Sequence, residues 1–148
     1  MLSINNALQV YDFLTPADLS ATLSRLTARY PDQDHGDPVY GAYSITALQQ
    51  TLQRKGYRLK DMCKTSTFRG HKKSERFRKI AYSKVPHLII IGRPHGQVDG
   101  YYHCIARAKV GDKFYFFDPD GYGSRLSSSM MLASLFQSVD LIYAIDRI

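Results

Sequence analysis

His103 and Asp118 are the two residues of this 148-residue sequence whose types and spacing suit acid–base chemistry. They flank Val110-Gly111-Asp112-Lys113. Glycine at the first central position of a two-residue turn marks a type II′ hairpin. That turn pairs Val110 with Lys113. Counting back along both strands pairs His103 with Asp120 and Ile105 with Asp118. Side chains alternate along a strand, so His103 and Asp118 fall on one face as diagonal neighbours. Such neighbours lie roughly 7–8 Å apart at the backbone, a gap that an imidazole and a carboxylate can close. The pair would form the base-and-orienter half of a Cys-His-Asp arrangement, with the carboxylate fixing the imidazole tautomer. The structural alternative is plain. Asp118-Pro119-Asp120-Gly121 is also a common turn, in which an aspartate bonds its own backbone, and a strand histidine is often just a half-buried side chain.

Neither cysteine fits as the nucleophile. Cys104 follows His103 directly and so points to the opposite face. Cys63 ends an expected strand and lacks the helix N-terminus that activates a thiol. Two cysteines cannot build a disulfide framework or a four-cysteine zinc site, and their scarcity fits a reducing compartment. The expected location is cytoplasmic, host cytosol or nucleus included. Asp32, Asp34, His35 and Asp37 sit in a polar stretch, but no acidic residue stands where a calcium loop needs its bidentate ligand. No metal and no cofactor are expected.

The formal charge of +7 is concentrated in one place. Lys64 to Lys84 holds eight bases against Glu75, and the rest of the chain balances at twelve of each sign. Such a segment is either a solvated surface or a patch for an acidic partner, nucleic acid or anionic lipid. Lys72, Lys73, Arg76, Arg78 and Lys79 are the candidate polyanion-binding residues. Phe68, Phe77 and Tyr82 are the available stacking groups, and no known nucleic-acid motif is matched.

The elements that must position these residues follow from local signals. The length suits one domain over 1–148 with a sizeable core. No apolar run is long enough to span a membrane, no signal-peptide pattern is present, and there is no internal repeat. Ile4, Leu8 and Tyr11 predict a helix at the start. Thr15-Pro16-Ala17-Asp18 is a capped helix start followed by the stripe Leu19, Leu23 and Leu26. Residues 31–41 read as a loop. Ser44 begins a third helix, with Ile45, Leu48 and Leu52 inward and Gly56 as its stop. Strands are predicted over 57–62, 87–91, 101–108, 113–118 and 139–145, with a short helix over 128–137. The basic segment shows no period. The order predicts an α+β fold, with N-terminal helices packed on a mostly antiparallel C-terminal sheet.

Over nearly its whole length the chain resembles the Josephin family, papain-like cysteine peptidases that remove ubiquitin. Ile4-Asn-Asn-Ala-Leu-Gln9 is similar to the family's Leu-Asn-Asn-Leu-Leu-Gln on the catalytic helix. Phe13-Leu-Thr-Pro-Ala-Asp-Leu19 is similar to the start of its next helix. Gly41-Ala-Tyr-Ser-Ile-Thr-Ala-Leu48, continuing to Lys55-Gly-Tyr-Arg-Leu59, is similar to its Gly-Asn-Tyr helix and the glycine-bounded end. The family's histidine opens a strand and its asparagine closes the next one fifteen residues on, the separation of His103 and Asp118. The resemblance implies a papain-like fold, His103 as general base, Asp118 as orienter in place of asparagine, and ubiquitin or polyubiquitin as partner. It also implies a missing part. The family's nucleophilic cysteine lies six residues before the first asparagine of the pair, and counting back from Asn5 passes Met1. The glutamine that helps bind the oxyanion lies upstream too, and Gln9 matches a different one. The chain is therefore expected to be a thiol-protease hydrolase scaffold, either a fragment or a pseudoenzyme, inactive as it stands. The alternative is a non-catalytic module that binds ubiquitin, or a polyanion through residues 64–84.

Overall fold

A computed structural model describes residues 1–37, 42–65, 68–73, 75–96, 102–119, 125–126 and 129–148. Two of its helices begin where side-chain caps direct. In α2, Pro16–Arg29, the Thr15 hydroxyl accepts from the Asp18 backbone N–H, and the Asp18 carboxylate accepts from the Thr15 N–H. This reciprocal box satisfies two of the orphan donors at a helix start. Lys55 adds an ion pair to Asp18 at 3.2 Å. Together these partners hold the Asp18 carboxyl below its ordinary value, the Thr15 backbone N–H contributing most. In α3, Ile45–Arg54, Ser44 caps through the Ala47 N–H. Gly56 stops the chain there with φ +81°, a region that favours glycine.

α1, Leu2–Leu8, is short and is fixed by its burial. Ile4 and Ala7 are buried in the core. Asn5 is buried as well, and its side chain braces the turn into α2. Its Nδ2 donates to the Tyr11 and Leu14 carbonyls, and its Oδ1 accepts from the Leu14 N–H. Every hydrogen-bonding position of that amide but one lone pair is thereby used. Between α2 and α3 the buried hydroxyls of Thr22 and Thr51 bond each other at 2.8 Å, a polar pair the apolar stripe did not announce.

The strands are β1 (Gly36–Asp37), β2 (Ala42–Tyr43), β3 (Tyr57–Asp61), β4 (His87–Pro94), β5 (His103–Val110), β6 (Lys113–Phe117), β7 (Arg125–Leu126) and β8 (Phe136–Arg147). β1 and β2 pair by themselves, so part of the stretch read as loop is a small ladder. The other six form one sheet in the order β3-β8-β4-β5-β6-β7, antiparallel at each pairing. The fold is α+β. Its last strand is longer than expected. Phe136 and Gln137, read as helix, open β8 because Phe136 buries its ring on the sheet.

Both faces of the sheet are covered, not one. Leu59, Ile89, Ala106, Tyr143 and Ile145 pack against α1, α2 and α3. Leu88, Ile90, Ile105, Phe116, Ile142 and Ala144 pack on the other side, against Ile80 and Leu132. Those two belong to α4, Arg76–Tyr82, and α5, Ser129–Leu135. α4 lies within the basic segment, where no element was predicted. It has seven residues, too short for a period to show, and Ile80 is its one fully buried side chain among them. No helix among the described residues is long and apolar enough to cross a membrane.

Candidate active site

The β5–β6 hairpin sets the site. Val110 pairs with Lys113 and Ala106 with Phe117, the register the turn implies. Gly111 takes φ +66° while Asp112 keeps a negative φ, as a type II′ turn requires. His103 opens β5, and Asp118 follows the last residue of β6. Their side chains meet, with His103 Nε2 2.7 Å from Asp118 Oδ1. Both side chains are 12% exposed. An ionised carboxylate only accepts, so the proton on this bond belongs to Nε2. That assigns the neutral ring to one tautomer and makes Nδ1 its basic nitrogen.

The strand alternation puts His103 on the side of Ile105, and its ring lies 6.2 Å from that of Phe136. Gly92 explains how Phe136 reaches it. Gly92 pairs with His103 across β4 and β5, and a register shift separates Ile91 from Gly92 against β8. A methyl group at Gly92 would run into the Ser138 carbonyl oxygen and the Phe136 ring. Neither Gly92 nor Phe136 is marked by the sequence as a neighbour of the site. Only the β4–β8 pairing, distant along the chain, brings them to the histidine.

Because His103 stands at the end of its strand, it also borders the α1 side. A cavity of about 220 Å³ lies there, lined by Met1, Leu2, Ser3 and Ile4 of the first helical turn, by His103 and Cys104, and by Pro119. Tyr43, Ile45 and Leu48 supply its outer wall, a contribution no spacing rule pointed to. Ser3 Oγ donates to the Cys104 carbonyl at 2.8 Å and fastens the start of α1 to β5 beside the dyad. At the other end of α1, His87 Nδ1 lies 2.8 Å from the Ala7 carbonyl. Gln9 takes a left-handed conformation at that far end, exposed and away from His103.

Both thiols are placed badly for attack. Cys104 packs with the α1-side core, and burial pushes its thiol above the ordinary value despite the Ser3 hydroxyl. Cys63 follows β3, at the opposite edge of the sheet from the β5–β6 hairpin. Burial raises its thiol too, against the opposing pull of Arg76.

The five candidate polyanion residues divide into two groups. Lys73 Nζ pairs with Asp140 Oδ1 at 2.6 Å. Arg76 Nη1 donates to the Val139 and Asp140 carbonyls at 2.9 and 2.7 Å. These two tie the segment to β8. Lys72 and Arg78 are exposed and Lys79 is half-buried. Among the described residues, no group of three or more His, Cys, Asp or Glu side chains could hold a metal ion.

No protein-family model matches the sequence, and no curated protein matches it.

Proposed function

We propose that the chain is the scaffold of a papain-like cysteine peptidase of Josephin type, whose reaction is hydrolysis of the isopeptide bond on ubiquitin or its chains. One observation carries the reading. His103 and Asp118 are in hydrogen-bond contact beside a cavity whose other wall is the first turn of α1. In this chemistry a thiolate at the start of that helix attacks the carbonyl carbon. His103 takes the thiol proton on Nδ1 and returns it to the leaving amine. Asp118 accepts from Nε2–H and holds the ring throughout. The apolar wall of Ile45, Leu48, Ile89 and Ile91 suits an apolar side chain of the substrate better than a charged one.

The family's spacing puts the thiol six residues before Asn5, and neither Cys63 nor Cys104 serves this dyad. The 148 residues by themselves should therefore cleave nothing. The test is a chain extended upstream by about one helical turn, with cysteine at that position. It should cleave ubiquitin chains and label with a thiol-reactive ubiquitin probe, and His103→Ala should abolish both. An extended chain that folds but stays inert sinks the proposal. So does labelling of the present chain at Cys63 or Cys104 that depends on His103.

A further inference from the structure

We infer that the outer face of α4 binds single-stranded nucleic acid. The segment's charge alone does not lead there, because Lys73 and Arg76 are held by β8. What remains is specific. Lys72, Arg78 and Lys79 carry no ion pair among the described residues. Arg78 and Lys79 line a cavity of about 520 Å³ together with His71, Glu75 and Phe77. Phe77 packs on the core, so its ring is a held wall and not a loose side chain. Tyr82 is 78% exposed and lies four residues beyond Arg78, on the same face of the helix.

Cations beside an exposed aromatic ring are what an unpaired strand needs. Lysine and arginine neutralise its phosphates, and its bases stack on the ring. A duplex keeps its base faces stacked inside the helix and would leave the exposed Tyr82 ring unused. Insertion of α4 into a membrane interface would need an apolar face to bury. The apolar residues of α4, Ile80 and Phe77, turn toward the core. Glu75 is the one acid at the cavity.

The probes are labelled ~12-nucleotide oligouridine and oligothymidine, read by fluorescence anisotropy at about 50 and about 200 mM salt. Three phosphate contacts, from Lys72, Arg78 and Lys79, give a slope of about −2 in log affinity against log salt, or a roughly twentyfold loss across that range. Arg78→Gln with Lys79→Gln should cut the slope to about −0.7. Tyr82→Ala should weaken binding about fivefold or more at both salts with the slope unchanged, and Tyr82→Phe should restore it. Lys113→Gln, which removes an exposed charge on the hairpin, should change nothing. All variants alter exposed or half-exposed side chains, and circular dichroism checks that they remain folded. The inference is overturned if Tyr82→Ala binds like Lys113→Gln. It is overturned equally if duplex outcompetes single strand, or if phosphatidylserine vesicles bind where the oligonucleotides do not.

Discussion

Two nitrogen–carboxylate contacts at the sheet can be set side by side. His103 meets Asp118 at 2.7 Å, and Lys73 meets Asp140 at 2.6 Å. Distance does not separate them. Their surroundings do. The Lys73 contact sits in a staple. Arg76 grips two β8 carbonyls beside it, and the Val139 N–H donates to the Lys73 carbonyl. The His103 contact sits at a strand end, bordered by a cavity and by the first turn of α1. Such a pair works as structure when its neighbours are backbone that must be held. It is a candidate for chemistry when one partner borders open space and is held by the other in one orientation.

The largest effect should come from cutting the staple. Arg76→Ala removes two charge-assisted bonds to backbone and should cost about 2–3 kcal/mol in urea unfolding. A loss near zero would make the β8 contact incidental and erase the contrast. Gly92→Ala comes next. The added methyl must displace the Ser138 backbone and crowds the Phe136 ring, and overpacking of this kind costs about 2 kcal/mol. It should also shift the His103 ring resonances, because Phe136 flanks that ring. Shifts confined to β8 would separate Gly92 from the site. His103→Ala truncates a largely buried ring and withdraws the donor from the Asp118 carboxylate, so it should cost about 1–2 kcal/mol, less than Arg76→Ala. A cost above that of Arg76→Ala would reclassify the dyad as a second staple.

The sequence disclosed these regions unequally, for physical reasons. The hairpin register was legible because Gly111-Asp112 is a local turn signal and strand alternation is rigid over eight residues. α2 and α3 were legible through Thr15, Ser44 and Gly56, which act within one turn of the helix they bound. α4 was not. Its place is set by Arg76 and Lys73 reaching residues more than sixty positions away. The roles of Phe136 and Gly92 were hidden for the same reason, since neither is distinctive until β4 and β8 pair. The wall formed by Tyr43, Ile45 and Leu48 likewise appears only when α3 packs over the sheet. Asp120 and Gly121, part of the turn beyond Asp118, lie outside the described residues, as do residues 38–41 of the polar stretch.

The smallest effect concerns the thiols. Burial raises both, so the thiolate fraction at neutral pH falls below that of free cysteine. Alkylation by iodoacetamide should be slower than for a free thiol near neutrality, and should climb only above the ordinary thiol range. Fast labelling of Cys104 at neutral pH would put an activated nucleophile inside the chain and undo the division between site and staple.

The central claim is that Asp118 holds His103 with the proton on Nε2. Two-bond nitrogen–proton NMR of the imidazole, with the ring neutral, reads this directly on the present chain. The account expects the Nε2–H tautomer, with a slowly exchanging Nε2 proton that is lost in Asp118→Ala. An Nδ1–H tautomer, or a ring unchanged by Asp118→Ala, would contradict it.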